Sequence, residues 1–258
     1  MNLPELLHTL LWGYPLPPEM VDPRYPLCLQ QLGGLWLTLA ITGLSFLFGG
    51  PLGLILALCR YDRRGASLVR QPGANLDRRL LSALATAVIE GFQSLPIMIL
   101  VLLTFYLPFR LLGLRLPAVA LAVAAFSIYN GVYLSGIIRS GLSAVEPGWL
   151  DAARTLGLSP WQILWRIRLP IALRTMLPAF LGQAITVFKD TSVLAVVAVG
   201  ELTYTARQVQ VSQPVSYGLL LLLVLLIYWS VATAGSVLVA RLDARWQLCR
   251  SGQQTRPN

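Results

Sequence analysis

Five long apolar runs limit what this chain can fold into. They cover roughly residues 34–58, 81–107, 117–138, 176–199 and 217–239. A helix rises about 1.5 Å per residue, so about twenty residues cross a hydrocarbon layer about 30 Å thick. With 56% of residues hydrophobic and only 12% charged, the chain is expected to be an all-α integral membrane protein with about five transmembrane helices.

The arginines fix the orientation. Arg60, Arg63, Arg64, Arg70, Arg78 and Arg79 follow the first run, and Arg139, Arg154, Arg166, Arg168 and Arg174 follow the third. Arg241, Arg245, Arg250 and Arg256 lie beyond the fifth. These fifteen fall on one side, against Arg24, Arg110, Arg115 and Arg207 on the other. Cytoplasmic loops carry the excess of positive charge. The C-terminus and the 139–174 loop are therefore expected in the cytoplasm, and the N-terminus outside. The net charge of +9 is then a topology signal and not a nucleic-acid footprint. Cys28, Cys59 and Cys249 show no metal spacing, and His8 is the single histidine; no metal or catalytic set is expected.

Three regions result: an extracytoplasmic segment 1–32, a transmembrane domain 33–240 carrying the cytoplasmic loop 139–174, and a cytoplasmic tail 241–258. The apolar run 6–16 is too short to span and is closed by Pro15, Pro17 and Pro18. It suits an interfacial helix. Glu5 and the lack of a basic start argue against a cleaved signal peptide.

The polar loop holds Asp151-Ala152-Ala153-Arg154-Thr155-Leu156-Gly157 and, further on, Ile167-Arg168-Leu169-Pro170. It reads as two short helices joined at Gly157, a left-handed C-cap. Ser159, Pro160 and Gln162 spell a capping box, with Leu158 and Ile163 as its hydrophobic staple. So ordered a loop on the face of a membrane protein suggests a docking element.

The spacing resembles the cytoplasmic loop of binding-protein-dependent ABC importer permeases. Their pattern is Glu-Ala-Ala, three residues, Gly, nine residues, Ile, one residue, Leu-Pro; here Asp151 replaces the Glu and the rest is in register. Three further stretches look most like the branch for polar amino acids: 34–45, 129–139, and Lys189-Asp190-Thr191-Ser192 followed by Gly200-Glu201-Leu202-Thr203. Two departures stand out. Gln93-Ser94-Leu95-Pro96 replaces the branch's Arg-Gly-Thr-Pro, and Gln183 stands where a Glu is frequent.

The resemblance implies a type I ABC importer permease fold in a bacterial inner membrane. It assigns ATPase coupling to Asp151, Ala152, Ala153, Arg154, Gly157, Ile167, Leu169 and Pro170. It implies two ATPase subunits, a second copy of the permease or a homologous one, and a periplasmic solute-binding protein. ATP and Mg belong to the ATPase: the one lysine, Lys189, forms no phosphate-binding loop.

Charges inside a span are rare and normally face a protein interior or a water-filled path. Lys189 and Asp190 are therefore candidates for the substrate path, with Gln183, Thr191, Ser192, Asn130 and Glu90. Asp190 could take a substrate ammonium, and Lys189, Thr191 or Ser192 its carboxylate. A structural ion pair, with Glu90 as a partner, is the competing reading, and interhelical hydrogen bonding is that for Asn130. Adjacent helical positions diverge by about 100°, so Lys189 and Asp190 are expected to find different partners. Gln183, weaker than Glu toward a cation, favours a neutral cargo. Glu201 and Arg207, beyond the fourth run, read as solvated charges or an outer gate. The cargo alternatives are an amino-acid derivative such as an opine and, in a different class, an ATP-independent transporter relaying ions through Lys189 and Asp190.

Overall fold

The computed structural model describes residues 3–13, 33–60, 76–212 and 215–254. Its elements are α1 (Leu3–Trp12), α2 (Gly34–Arg60), α3 (Leu76–Ser94), α4 (Ile97–Leu112), α5 (Ala118–Ser143), α6 (Pro147–Thr155), α7 (Pro160–Ile163), α8 (Leu169–Asp190), α9 (Leu202–Ser212) and α10 (Tyr217–Gln254). A π turn, Leu164–Arg168, joins α7 to α8, and a 3₁₀ segment, Thr191–Val197, prolongs α8.

Among the described residues four helical stretches are long and apolar enough to cross a membrane: Gly34–Arg60, Ala118–Ser143, Trp161–Val197 and Tyr217–Ala244. The second expected span is broken. Leu80–Ser94 and Ile97–Leu112 meet at 104°. Pro96 has no N–H to bond back along α3, and its ring disfavours helical geometry at Leu95.

The fourth span begins earlier than the apolar run. The second half of the 139–174 loop is not a separate short helix but the inner end of this span, running from Pro160 through the π turn into α8. The Leu169 N–H bonds to the Leu164 carbonyl, one residue further back than in an α-helix. The next residue, Pro170, has no N–H, and a π turn placed before it relaxes the crowding its ring imposes.

α5 is the central helix, with over half of its span buried, whereas α10 buries 6% and is the peripheral one. The α2–α5 crossing is the tightest joint. Ser45, Gly49, Gly53 and Ala57 recur every fourth residue on α2, facing Ser127, Gly131 and Ser135 on α5, and all are buried. Small residues let helix backbones approach where no hydrophobic effect drives association. The main apolar cluster joins Leu37 and Ile41 of α2, Val101 of α4, Ala125 and Phe126 of α5, Val187 of α8 and Leu194. α1 seats Leu6 and Leu10 against Leu202, Ala206 and Val209 of α9 and Leu220 and Val224 of α10. The rest of the 6–16 run lies outside the described residues.

Candidate transport path and coupling loop

The inner-face elbow is built from complementary caps. α6 ends in a Schellman motif: Gly157 stands at φ 75, its N–H bonds to the Arg154 carbonyl at 2.9 Å, and the Leu158 N–H to the Ala153 carbonyl at 3.1 Å. The next helix opens with the capping box. The Ser159 N–H donates to Gln162 Oε1 at 2.8 Å, and the Gln162 N–H to Ser159 Oγ at 3.3 Å. Leu158, Ile167 and Ile171 pack on Val145, Leu150, Ala153 and Ile163. Arg168 Nε donates to the Leu142 carbonyl near the end of α5. The elbow is thus one packed unit spliced to α5 and to α8.

Its outer surface is left free. Asp151 and Arg154 pair at 2.7 Å but stay 67% and 60% exposed. Leu156 and Trp149 are exposed too, as are Trp161 and Trp165, whose rings meet edge to face. Leu169 is half-buried and Pro170 exposed at the start of α8.

Near the outer end of the fourth span, α8 meets α5. Tyr129 Oη donates to Asp190 Oδ2 at 3.0 Å, and the Tyr129 and Tyr133 rings lie 4.8 Å apart. Asp190 and both tyrosines are half-buried, while Lys189 is exposed on the neighbouring face, the divergence that helical geometry requires. Gln183 lies two turns inward from Asp190 on the same side of α8, and its Nε2 is buried without a protein partner. Ser192 is half-buried.

The other candidates do not join this face. Glu90 is exposed on α3 and makes no ion pair with Lys189. Asn130 is wholly buried beside Gly49 in the α2–α5 crossing, its amide without a protein partner. Thr191 is wholly buried and bonds back to the Phe188 carbonyl at 2.7 Å.

Glu201 reverses the sequence-based expectation of a solvated charge, since it is fully buried. It lies beyond the end of the fourth span and caps α9. Its Oε2 accepts the Thr203 N–H and its Oε1 the Tyr204 N–H, each at 2.8 Å. Tyr228 Oη of α10 donates to Oε2 at 3.0 Å. The Leu202 N–H goes to Thr38 Oγ1 of α2, and the Gly34 N–H to the Gly200 carbonyl. The open amides of the α9 start are thus satisfied by α2 and Glu201. Burial pushes the Glu201 carboxyl up to about 7, against the pull of the two backbone N–H groups and Tyr228. The folded chain then holds a proton between about 4.5 and about 7 that the unfolded chain has released. Stability is expected to fall as pH rises through that window, by on the order of 3 kcal/mol. Thermal unfolding in detergent against pH measures it, and Glu201→Gln should flatten the slope.

Residues 49–248 match the family described as binding-protein-dependent transport system inner membrane component. This chain is a member of that family. The permease is 33% identical over 223 residues to the probable glutamine ABC transporter permease protein GlnP of Bacillus subtilis, covering 84% of this chain and 95% of the relative. It is 31% identical over 225 residues to the glutamate/aspartate import permease protein GltK of Escherichia coli O6:H1, covering 83% and 92%. A solved amino acid ABC transporter with histidines superposes with a TM-score of 0.69 at 26% identity, over 81% of the permease and 90% of that chain. The permease is a multi-pass inner membrane protein with the type I importer fold. It is a transport component and not an enzyme, and its family works with ATPase and substrate-binding partners. The ion-relay alternative finds no support in these relationships.

Sequence reasoning left Glu201 and Tyr228 out of the site. The signal for Glu201 was local and weak: an acid beside a helix start suits the helix dipole, although glutamate is not among the favoured N-cap residues. Tyr228 gave none, sitting in an apolar run 27 residues away.

Proposed function

We propose that this chain is one of two permease subunits of an ATP-driven importer of polar amino acids or closely related solutes. The observation that carries the reading is the elbow, a capped and packed unit with an exposed outer surface, spliced to the two helices that hold the Tyr129–Asp190 face. Two ATPases closing on ATP push the elbows together. Each elbow moves the inner ends of α5 and α8, and the path alternates between its inner and outer openings. The loaded binding protein delivers its cargo at the outer mouth.

The exposure of Lys189 supports the second permease chain. A charge on the lipid-facing surface of a span costs at least about 2.5–3.5 kcal/mol. That face is better placed against a partner permease, across a shared wet path. Asp190 and Tyr129 then offer acceptors to a substrate ammonium, and Lys189 and Ser192 donors to its carboxylate. Gln183 follows two turns inward. Thr191, Asn130 and Glu90 take no part in the state described. Domain limits follow the same logic: 1–32 outside, 33–240 as the permease unit, 241–258 in the cytoplasm.

Uptake into cells expressing the permease with its ATPase and binding protein tests this, using labelled glutamine, glutamate, aspartate and histidine. At least one is expected to enter in an ATP-dependent manner, and Asp190→Asn should lower its uptake about ten-fold or more through the loss of a charge-assisted contact. A purified, folded chain that brings down no ATPase, with no uptake of any probe, overturns the reading.

A further inference from the structure

We propose that Glu201 and Tyr228 form a latch that positions Asp190, holding the outer end of α8 in register from a distance. The inference rests on the reading of Asp190 as part of the path.

Three observations place the latch. Between Asp190 and Glu201 the chain leaves α-geometry: it runs as a 3₁₀ turn to Val197 and then reverses at Ala198, the one non-glycine residue at positive φ (58°) among the described residues. A left-handed alanine is strained, and such geometry persists only where the surroundings hold it. The segment's far end is fixed by Glu201, clamped to α9 through two amides and to α10 through Tyr228. Its near end is fixed by the same tyrosine, whose ring packs on Phe188, two residues before Asp190, at 5.2 Å. One side chain of α10 therefore grips the segment at both ends, and the Asp190 carboxylate is presented to Tyr129 between them.

Two variants separate this role from helix capping. Aspartate is as good an N-cap as any residue, but one methylene shorter, so Glu201→Asp keeps the α9 start while withdrawing from Tyr228. Tyr228→Phe deletes the same hydrogen bond from the other side and keeps the ring. Each is expected to lower the maximal uptake of the labelled amino acids about ten-fold, with purification yield unchanged and the unfolding temperature lowered by no more than a few degrees, roughly the cost of one buried hydrogen bond. The double variant should be no worse than either alone, since both remove one interaction. Spin labels at exposed Ala124 on α5 and exposed Val196 in the 3₁₀ segment, in a background with the cysteines replaced by serine, should report a broadened distance in each variant. Distances and uptake at wild-type values in both variants would overturn the latch. If Asp190→Asn leaves uptake intact while the distances broaden, the assignment of Asp190 to the path has failed and the positioning proposal falls with it. If Asp190→Asn abolishes uptake while both latch variants transport normally, the path stands and the latch alone is refuted.

Discussion

Gly53→Ala is expected to destabilise this protein more than a methyl group normally does. A Cβ at residue 53 would meet the Gly131 carbonyl oxygen at 2.7 Å and Leu134 Cβ at 2.9 Å. The first obstacle is backbone and cannot rotate away, so α2 and α5 must separate. Ordinary overpacking costs about 1–3 kcal/mol; here the loss should reach the top of that range, because parting the helices also undoes the Ser45–Ala57 and Ser127–Ser135 contact faces. Gly49→Ala, with its Cβ 2.7 Å from the Ser127 carbonyl, should behave alike. Gly50 is the control on the same helix. Nothing lies within 4 Å of its Cβ position, so alanine there should be neutral or stabilise by up to about 1 kcal/mol through helix propensity. Thermal unfolding in detergent compares the three. Equal melting temperatures for Gly50→Ala and Gly53→Ala would refute the close crossing.

That joint shows which parts of the fold were legible. The spans were readable because length and apolarity report directly on the bilayer. The elbow was readable because caps are local: Ser159, Gln162 and Gly157 act on backbone within a few residues of themselves. What stayed hidden was pairing between distant elements. Asn130 reads as a path residue on α5 alone, and becomes a buried one only once Gly49 brings α2 against it. Glu201 reads as a solvated loop charge until Tyr228, 27 residues away, closes on it. The inner start of the fourth span was missed because Arg166, Arg168 and Arg174 lower its apolarity, while Arg166 and Arg174 are exposed and Arg168 reaches the Leu142 carbonyl.

Gly157→Pro is expected to abolish transport while leaving the membrane helices folded. Gly157 sits at φ 75, and proline is held near −65° and has no N–H. The substitution removes the bond to the Arg154 carbonyl and turns the chain away from the Schellman geometry, so the capping box no longer follows α6 at its present angle. No neighbour lies within 4 Å of the Gly157 Cβ position, so the damage stays in the elbow. Gly157→Ala should be milder, at about 1 kcal/mol for one left-handed alanine. The measurement is uptake alongside recovery of the ATPase with the tagged permease. Gly157→Pro should lower both ten-fold or more at unchanged yield. The Asp151→Ala, Arg154→Ala pair provides the complementary test. Their exposed ion pair is worth only a few tenths of a kcal/mol to the helix itself. A large loss of ATPase recovery without loss of stability would therefore mean that these side chains act on a partner. Wild-type uptake in Gly157→Pro would show that the elbow does not transmit the motion.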